Sequence, residues 1–485
     1  MSDYLAASIV LLAGTSLALP LLQLVKVKER NLPGYLLAVA LAIAMALVSL
    51  NTLSPSVSPW FGSLLASDQL GGVFALVTLG VTLMVTVASF ETRKRLSNSV
   101  YYGLLSFTAL GMLLLSYSQD LLMLFVAWEL MSLPTYVLAG FDKTETSNEA
   151  SVKYAVIGAM SSAIILYAIS LAYGLTGSTQ ISTVVEGFVS NQNALTGVAA
   201  LLFVAGFGFK MSIVPFHMWI PDVYEGAPPT ISALLAAATK KAGFIAAIRV
   251  LLALTTLFVI THNPLFTMAN VFAVLALITM TVGNVAALTQ RSMTRLLAYS
   301  SIAQAGYILV GFVPFASNPA SLAASIGMTG AIMQVVNHAI MKGAAFLAAA
   351  LVLTQLKRGD LGAYDGLAKR MPVTAFTLAV CFLALAGVPP LNGFWSKLFL
   401  FLSVVYGQYG WLAVAGILNS AFSLGYYAWL VKRMYMDEGE STERVKEPTW
   451  FVIVFAVAVG LIIGIGIFPQ QLINFASGAV PNIFG

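Results

Sequence analysis

A chain of 485 residues, 59% of them hydrophobic and only 9% charged, with a mean hydropathy of +0.91, is not a row of soluble domains. Its single cysteine, Cys381, cannot build a four-thiolate iron–sulfur site and reads as a buried packing thiol, and there is no Rossmann glycine fingerprint or Walker motif. What remains is an all-α polytopic membrane protein, because apolar runs of about 20 residues, enough for a ~30 Å hydrocarbon core, recur from end to end.

Fourteen spans are expected, starting with 4–25, 33–53 and 70–90. The first run lacks a basic leader and is longer than a signal-peptide core, so it reads as a retained helix. Spans 100–118 and 120–140 follow, and the second contains LFVAWELMSLP with Glu129 at its middle. Counted from Asp120, which is expected in solvent near the far surface, nine residues at about 1.5 Å each place Glu129 roughly 13 Å deep. An ionisable group there costs about 2.5 to 3.5 kcal/mol, so it faces a protein interior or a water path and seeks a partner.

Spans 151–176 and 196–216 come next, the latter ending in GFGFKMSIVPFHMWIPD, where Lys210 precedes Pro215. His217 sits at that break, a candidate proton entry or a structural histidine, and Asp222 and Glu225 in the adjoining link either attract protons or cap. Span 229–252 holds Lys240, Lys241 and Arg249. Adjacent residues on a helix point about 100° apart, so Lys240 is assigned to the interior route, Lys241 has a secondary place, and Arg249 is expected to snorkel outward. Spans 266–289 and 294–316 lead to 322–356, where His338 and Lys342 share a face at four residues' spacing. In 373–402, Pro389 and Pro390 precede Lys397; spans 409–433 and 449–468 close the chain around a polar link, 434–448, that carries no recognisable site.

Sorting the 24 Lys and Arg residues tests the count. Eighteen fall in the odd-numbered links and none in the even-numbered links or termini. The odd links are therefore expected in the cytoplasm and both termini on the far side, and the net charge of +5 is explained without a nucleic-acid partner. Six cations remain within helices: Lys210, Lys240, Lys241, Arg249, Lys342 and Lys397.

Proline breaks beside Lys210 and Lys397 suggest an inverted repeat. Tyr136-Val-Leu-Ala-Gly140 resembles Tyr307-Ile-Leu-Val-Gly311, and Val214-Pro215 resembles Val388-Pro389. These matches lay helices 4–8 over helices 9–13, an odd shift that inverts topology. Residues 1–98 form a three-helix N-terminal segment, 99–255 and 256–434 the two five-helix repeats with helices 7 and 12 broken, and 435–485 the link and last helix.

The segments LLLSYSQDLLMLFVAWELMSLPTYVLAG, SVKYAVIGAMSSAIILYAISLAYGLTGST, HMWIPDVYEGAP and RLLAYSSIAQAGY resemble the N subunit of proton-pumping NADH:quinone oxidoreductase, respiratory complex I, whose mitochondrial counterpart is NADH dehydrogenase subunit 2. The resemblance runs from about residue 100 to 433. It implies an antiporter-like fold, with Glu129 as the fifth-helix glutamate, Lys210 as the lysine paired with it, Lys240 as the central lysine and Lys397 as the lysine near the exit. NHAIMKGAAFLAAA in the eleventh helix is more like the sibling L and M subunits, whereas Lys397 argues against M. The resemblance extends to Mrp-type cation/proton antiporters and to archaeal complexes that oxidise a reduced deazaflavin.

The expected partners are K-like and M-like membrane subunits and the lipid bilayer of a prokaryotic cell, with FMN or FAD and Fe–S clusters in other subunits and no cofactor or metal in this chain. In the expected mechanism, Lys210 holds its proton while Glu129 is close and charged. When a neighbouring subunit draws Glu129 away, the proton passes to Lys240, then through water and His338 or Lys342 to Lys397. Each 100 mV opposes that movement by about 2.3 kcal/mol per charge, so the driving force comes from the redox arm of the complex. An Mrp subunit, a stand-alone secondary transporter and a passive scaffold are the alternatives.

Overall fold

The computed structural model describes residues 3–24, 29, 31–53, 62–92, 98–190, 193–252 and 267–483. Thirteen of its helices are long and apolar enough to cross a bilayer. They are α1 (Tyr4–Leu21), α2 (Leu32–Leu53), α3 (Gln69–Thr92), α4 (Asn98–Tyr117), α5 (Leu121–Ala139), α6 (Glu145–Thr176), α7 (Ala194–Met211), α8 (Pro229–Leu251), α9 (Met268–Leu288), α10 (Met293–Ser317), α11 (Leu322–Leu356), α13 (Gly410–Tyr435) and α14 (Thr449–Ile467). The remaining crossing, α12, is split into Pro372–Ala386 and Asn392–Tyr406, fifteen residues each. Half-helices of that length reach only about 22 Å, so it takes both to span the core.

Local chemistry sets the ends. Asp120 caps α5 by accepting from the backbone N–H of Leu122 and Met123, at 2.9 and 3.0 Å. Thr144 and Ser147 form a reciprocal capping box before α6, and Gly177 ends that helix in the left-handed region at φ 69°. Asp120 also accepts from Thr179 Oγ1 at 2.5 Å and from Gln180 at 3.2 Å, and is 3% exposed. The expectation of a solvated Asp120 is thereby corrected: four orphan donors at a helix start and the next link fold over it.

Both expected breaks are present. α7 stops at Ser212, in the left-handed region at φ 68°, and chain direction resumes in a short helix at Ile220–Gly226. The first half of α12 stops at Gly387, also left-handed, at φ 88°. Matching these two caps registers Pro215 against Pro390, one residue beyond the Pro389 suggested by the sequence. Cis peptide bonds precede both Pro215 and Pro390.

The innermost helix is α8, whose membrane window is buried throughout. It is not a regular α-helix: π-turns occupy Leu235–Thr239 and Ile248–Leu252, either side of the lysine pair. A π-turn adds a residue to the turn and rotates every later side chain, so α-helical periodicity misjudges which way α8 residues point. Arg249 also corrects its expectation, because Asp68 before α3 and Ser116 near the end of α4 close over that end of α8. It is 4% exposed and does not reach the surface; its guanidinium grips both Asp68 oxygens at 2.9 Å and Ser116 O at 2.6 Å.

Besides shorter pieces such as Ile220–Gly226, two helices of ten residues were not foreseen, Ile181–Ser190 before α7 and Gln470–Ala479 after α14. At ten residues each they are too short to cross. The second lies against α3, where Gln69 Nε2 donates to Phe475 O at 3.1 Å. Of the basic residues used for the topology, Lys26, Lys28, Arg30, Arg93, Lys94 and Arg95 lie outside the described residues.

Candidate functional site, a row of buried lysines

On α5, Glu129, Ser132 and Tyr136 fall at i, i+3 and i+7 and so share a face. Glu129 is half-buried and accepts a short hydrogen bond from Ser162 of α6. Lys210, two residues before the α7 break, donates to Tyr154 OH at 2.8 Å and to Ser132 Oγ at 3.1 Å. Its ammonium also lies 5.0 Å from the Tyr154 ring centroid, 5.7 Å from Tyr136 and 5.9 Å from Trp128, a cation–π enclosure. Tyr154 is held there by stacking on Trp219, with centroids 4.7 Å apart.

The expected Glu129–Lys210 ion pair is therefore not formed among the described residues. Hydroxyls and ring faces hold the two groups separately, supplying hydrogen bonds and cation–π contacts in place of a direct ion pair. Ser162, Ser132 and Tyr154 are the residues that sequence reasoning missed. Ser132 was within reach, since it shares the Glu129 face; Tyr154 and Ser162 sit on another helix and left no signal.

Both members of the α8 pair point inward. Lys240 donates to Ser301 O at 3.0 Å and Ser301 Oγ at 2.9 Å on α10. Lys241 meets His338 Nδ1 of α11 through a short contact. The assignment of only one lysine to the interior is corrected, because a helix surrounded by protein offers an interior wall in every direction. One turn along α11 from His338, Lys342 donates to Leu297 O at 3.1 Å and Ser300 Oγ at 2.6 Å. Ser300 and Ser301, neighbours on α10, thus serve different lysines.

Lys397, in the second half of α12, donates to Leu385 O at 2.9 Å, Ala386 O at 3.0 Å and Ser420 Oγ at 2.7 Å, and lies 4.6 Å from the Tyr307 ring centroid. The carbonyls it uses are those freed by the α12 break, which is the physical link between proline break and lysine. Between His338 and Lys397 lies a buried amide cluster. Gln334 donates to Gln304 at 2.7 Å, Ser396 to Gln334 at 2.5 Å, and Asn337 and Asn392 bond each other at 3.1 Å.

All five lysines are at most 4% exposed, and among the described residues none is in an ion pair. His217 is half-buried at the α7 break with Nδ1 unpartnered. Cys381 is fully buried, as expected. Among the described residues, no three His, Cys, Asp or Glu side chains gather where a metal could sit.

Below the α7 break, a cavity of about 310 Å³ opens between Glu149, Lys153, Asp222, Glu225 and Arg295. Lys153 bonds Glu149 at 2.6 Å and Asp222 at 2.9 Å; Arg295 bonds Asp222 at 2.9 Å and Glu225 at 3.1 Å. Burial raises the Asp222 carboxyl, but Lys153 and Arg295 together outweigh it and hold the group below the ordinary aspartate range. A depressed carboxylate makes its contribution above the ordinary aspartate range and loses it only as pH falls through the lower folded value, so Asp222 stays charged between about pH 5 and 8. Asp222→Asn is accordingly expected to leave the shape of the pH profile of the parent complex unchanged over that interval. Rates measured in steps across it check this, and a displaced limb would show that Asp222 titrates.

The residues 118–423 match the family model described as NADH:quinone oxidoreductase/Mrp antiporter, TM. Over 98% of both chains, the sequence is 41% identical to F(420)H(2) dehydrogenase subunit N of Methanosarcina mazei. It is 38% identical to NADH-quinone oxidoreductase subunit N of Desulfitobacterium hafniense, across 86% of this chain and 85% of that one. A chain of respiratory complex I from Thermus thermophilus with bound aureothin superposes with a TM-score of 0.81 at 30% identity, covering 97% of this chain and 99% of the other. With broken helices, buried lysines and near full-length matches in agreement, the chain belongs to the NADH:quinone oxidoreductase/Mrp antiporter family of membrane subunits, among its N-type members.

Proposed function

We propose that this chain is the proton-translocating N subunit of a dehydrogenase that oxidises reduced F420, and that its protons move along Glu129, Lys210, Lys240, Lys241, His338, Lys342 and Lys397. The observation that carries the reading is the run of five buried lysines with no carboxylate partner among the described residues. A structural ion pair needs its counter-charge in contact, whereas groups held only by hydroxyls, carbonyls and an imidazole are free to gain and lose a proton. The choice of donor rests on the longer and higher match to the F(420)H(2) relative.

Residues 99–255 and 256–434 act as the two half-channels, with entry near His217 and exit near Lys397. Both termini lie outside the cytoplasmic face of the cell membrane, K-like and M-like subunits flank the chain, and flavin and iron–sulfur clusters reside in partner subunits. A second reading, an Mrp-type antiporter subunit, is served by the same fold, but full-length similarity to an N subunit favours the dehydrogenase.

The test uses inside-out vesicles containing the whole complex, supplied with reduced F420 or with NADH, and compares wild type with Glu129→Ala at matched assembly. Pumping and electron transfer are expected to fall together, by roughly ten-fold or more, and with reduced F420 as the effective donor. Unchanged pumping would assign Glu129 to packing, and activity with NADH alone would overturn the donor.

A further inference from the structure

The transfer from Lys342 to Lys397 has two candidate roads, and their chemistry differs. The first is the amide cluster of Gln304, Gln334, Asn337 and Asn392, buried and fully carboxamide apart from Ser396. A carboxamide donates from nitrogen and accepts on oxygen, so it cannot pass a proton on without tautomerising. The second is a row of hydroxyls. Ser300 accepts from Lys342 at 2.6 Å and shares a short hydrogen bond with Tyr427 OH. On α13, Ser420, Ser423 and Tyr427 fall at i, i+3 and i+7, so one face of that helix carries three hydroxyls. Tyr307 lies beside Lys397, its ring centroid 4.6 Å from the ammonium; its OH accepts from Asn284 at 3.4 Å, while the Ser423 and Ser420 hydroxyls turn to Ser420 O and Ala386 O at 2.7 and 2.9 Å. Ser420 Oγ, at the end of the row, accepts from Lys397 at 2.7 Å.

Building on the proton-relay reading above, we propose that protons travel from Lys342 to Lys397 along Ser300 and Tyr427, hydrogen-bonded at one end, and Ser420, bonded to Lys397 at the other, with the Ser423 and Tyr307 hydroxyls turning from their present partners to close the middle, and that the amide cluster is the insulating wall beside them. A hydroxyl is donor and acceptor at one atom, so each member releases its own proton forward as it takes the one behind. One proton leaves the Lys342 amine and one arrives at the Lys397 amine. Only N–H and O–H bonds change, and rotation of the hydroxyls resets the row. The wall is useful because an interior that conducted in several directions would let protons leak back. It also explains why amides rather than apolar side chains fill the space. They satisfy the carbonyls freed by the α12 break, as where Gln304 donates to Leu385 O at 3.0 Å, without adding a group that titrates.

The experiment measures proton release per electron in vesicles carrying the whole complex, at matched assembly, for Tyr427→Phe, Ser300→Ala, Ser300→Thr and Gln334→Met. Tyr427→Phe keeps the ring stacked on Phe382, at 5.3 Å, and removes only the hydroxyl. Tyr427→Phe and Ser300→Ala are expected to slow proton release by roughly ten-fold, Ser300→Thr to restore it, and Gln334→Met to leave it near wild type. A structural role for Ser300 would not be rescued by the bulkier threonine. Near wild-type release in Tyr427→Phe, or loss in Gln334→Met instead, would overturn the hydroxyl row. Lys240→Met, run alongside, separates the two claims: if it too pumps normally, the relay reading itself has failed, and if it alone is inactive, only the hydroxyl row has.

Discussion

Replacing Lys240 with methionine is expected to abolish redox-driven proton pumping while leaving the complex assembled. Methionine is close to lysine in length and flexibility, and the amine it removes bonds only Ser301, whose hydroxyl can turn to another acceptor. Removing a buried ammonium also removes its desolvation cost, so folding is spared. Transfer is not spared, since the relay loses a member at its centre, and a fall of about 100-fold or more is the expected scale for losing a positioned proton-transfer group. Lys241→Met is expected to fall as well, because Lys241 is the contact to His338, whose other nitrogen has no partner. The measurement is pumping and electron transfer in the same vesicles, with complex content normalised on native gels. Normal pumping by Lys241→Met beside an inactive Lys240→Met would take His338 off the route.

The largest effect on stability is expected at Arg249. Its side chain and that of Asp68 are 3% and 10% exposed, joined by two parallel hydrogen bonds of 2.9 Å. Arg249→Met leaves the Asp68 carboxylate buried with one cap bond, to Gly71 N at 2.6 Å, and strips Ser116 O of its donors. Breaking a buried pair from one side costs about 3 to 5 kcal/mol, enough to deplete the assembled complex. Asp68→Asn added to Arg249→Met removes the stranded charge and keeps a capping side chain, so the double variant is expected to recover most of the loss. Thermal midpoints and native-gel yields of the three proteins decide it. A double variant no more stable than Arg249→Met would mean that the loss comes from packing and not from the uncompensated charge.

The fate of individual readings shows where sequence reasoning stops. Glu129, Lys210, Lys240, Lys342 and Lys397 were legible because a charge in an apolar run is costly wherever the helix ends up, and the prolines beside Lys210 and Lys397 marked broken backbone before any coordinate was known. Lys241 was misjudged because α8 is enclosed by protein on every side, and Arg249 because depth along one helix does not reveal the carboxylate that the start of α3 brings to it. Asp120 was misplaced because depth along one helix says nothing about the link that folds over it. The Glu129–Lys210 contact was replaced by Ser162, Ser132 and Tyr154, hydroxyls drawn from two helices.

By itself, then, the sequence determined the class of protein, its crossings, the two breaks and the identity of the buried charges, since each follows from transfer free energies and backbone chemistry that act locally along the chain. Tertiary structure decided which groups touch. Whether a lysine meets a carboxylate, an imidazole or a hydroxyl depends on the rotation and depth of one helix against another, and those are set by packing among side chains hundreds of residues apart.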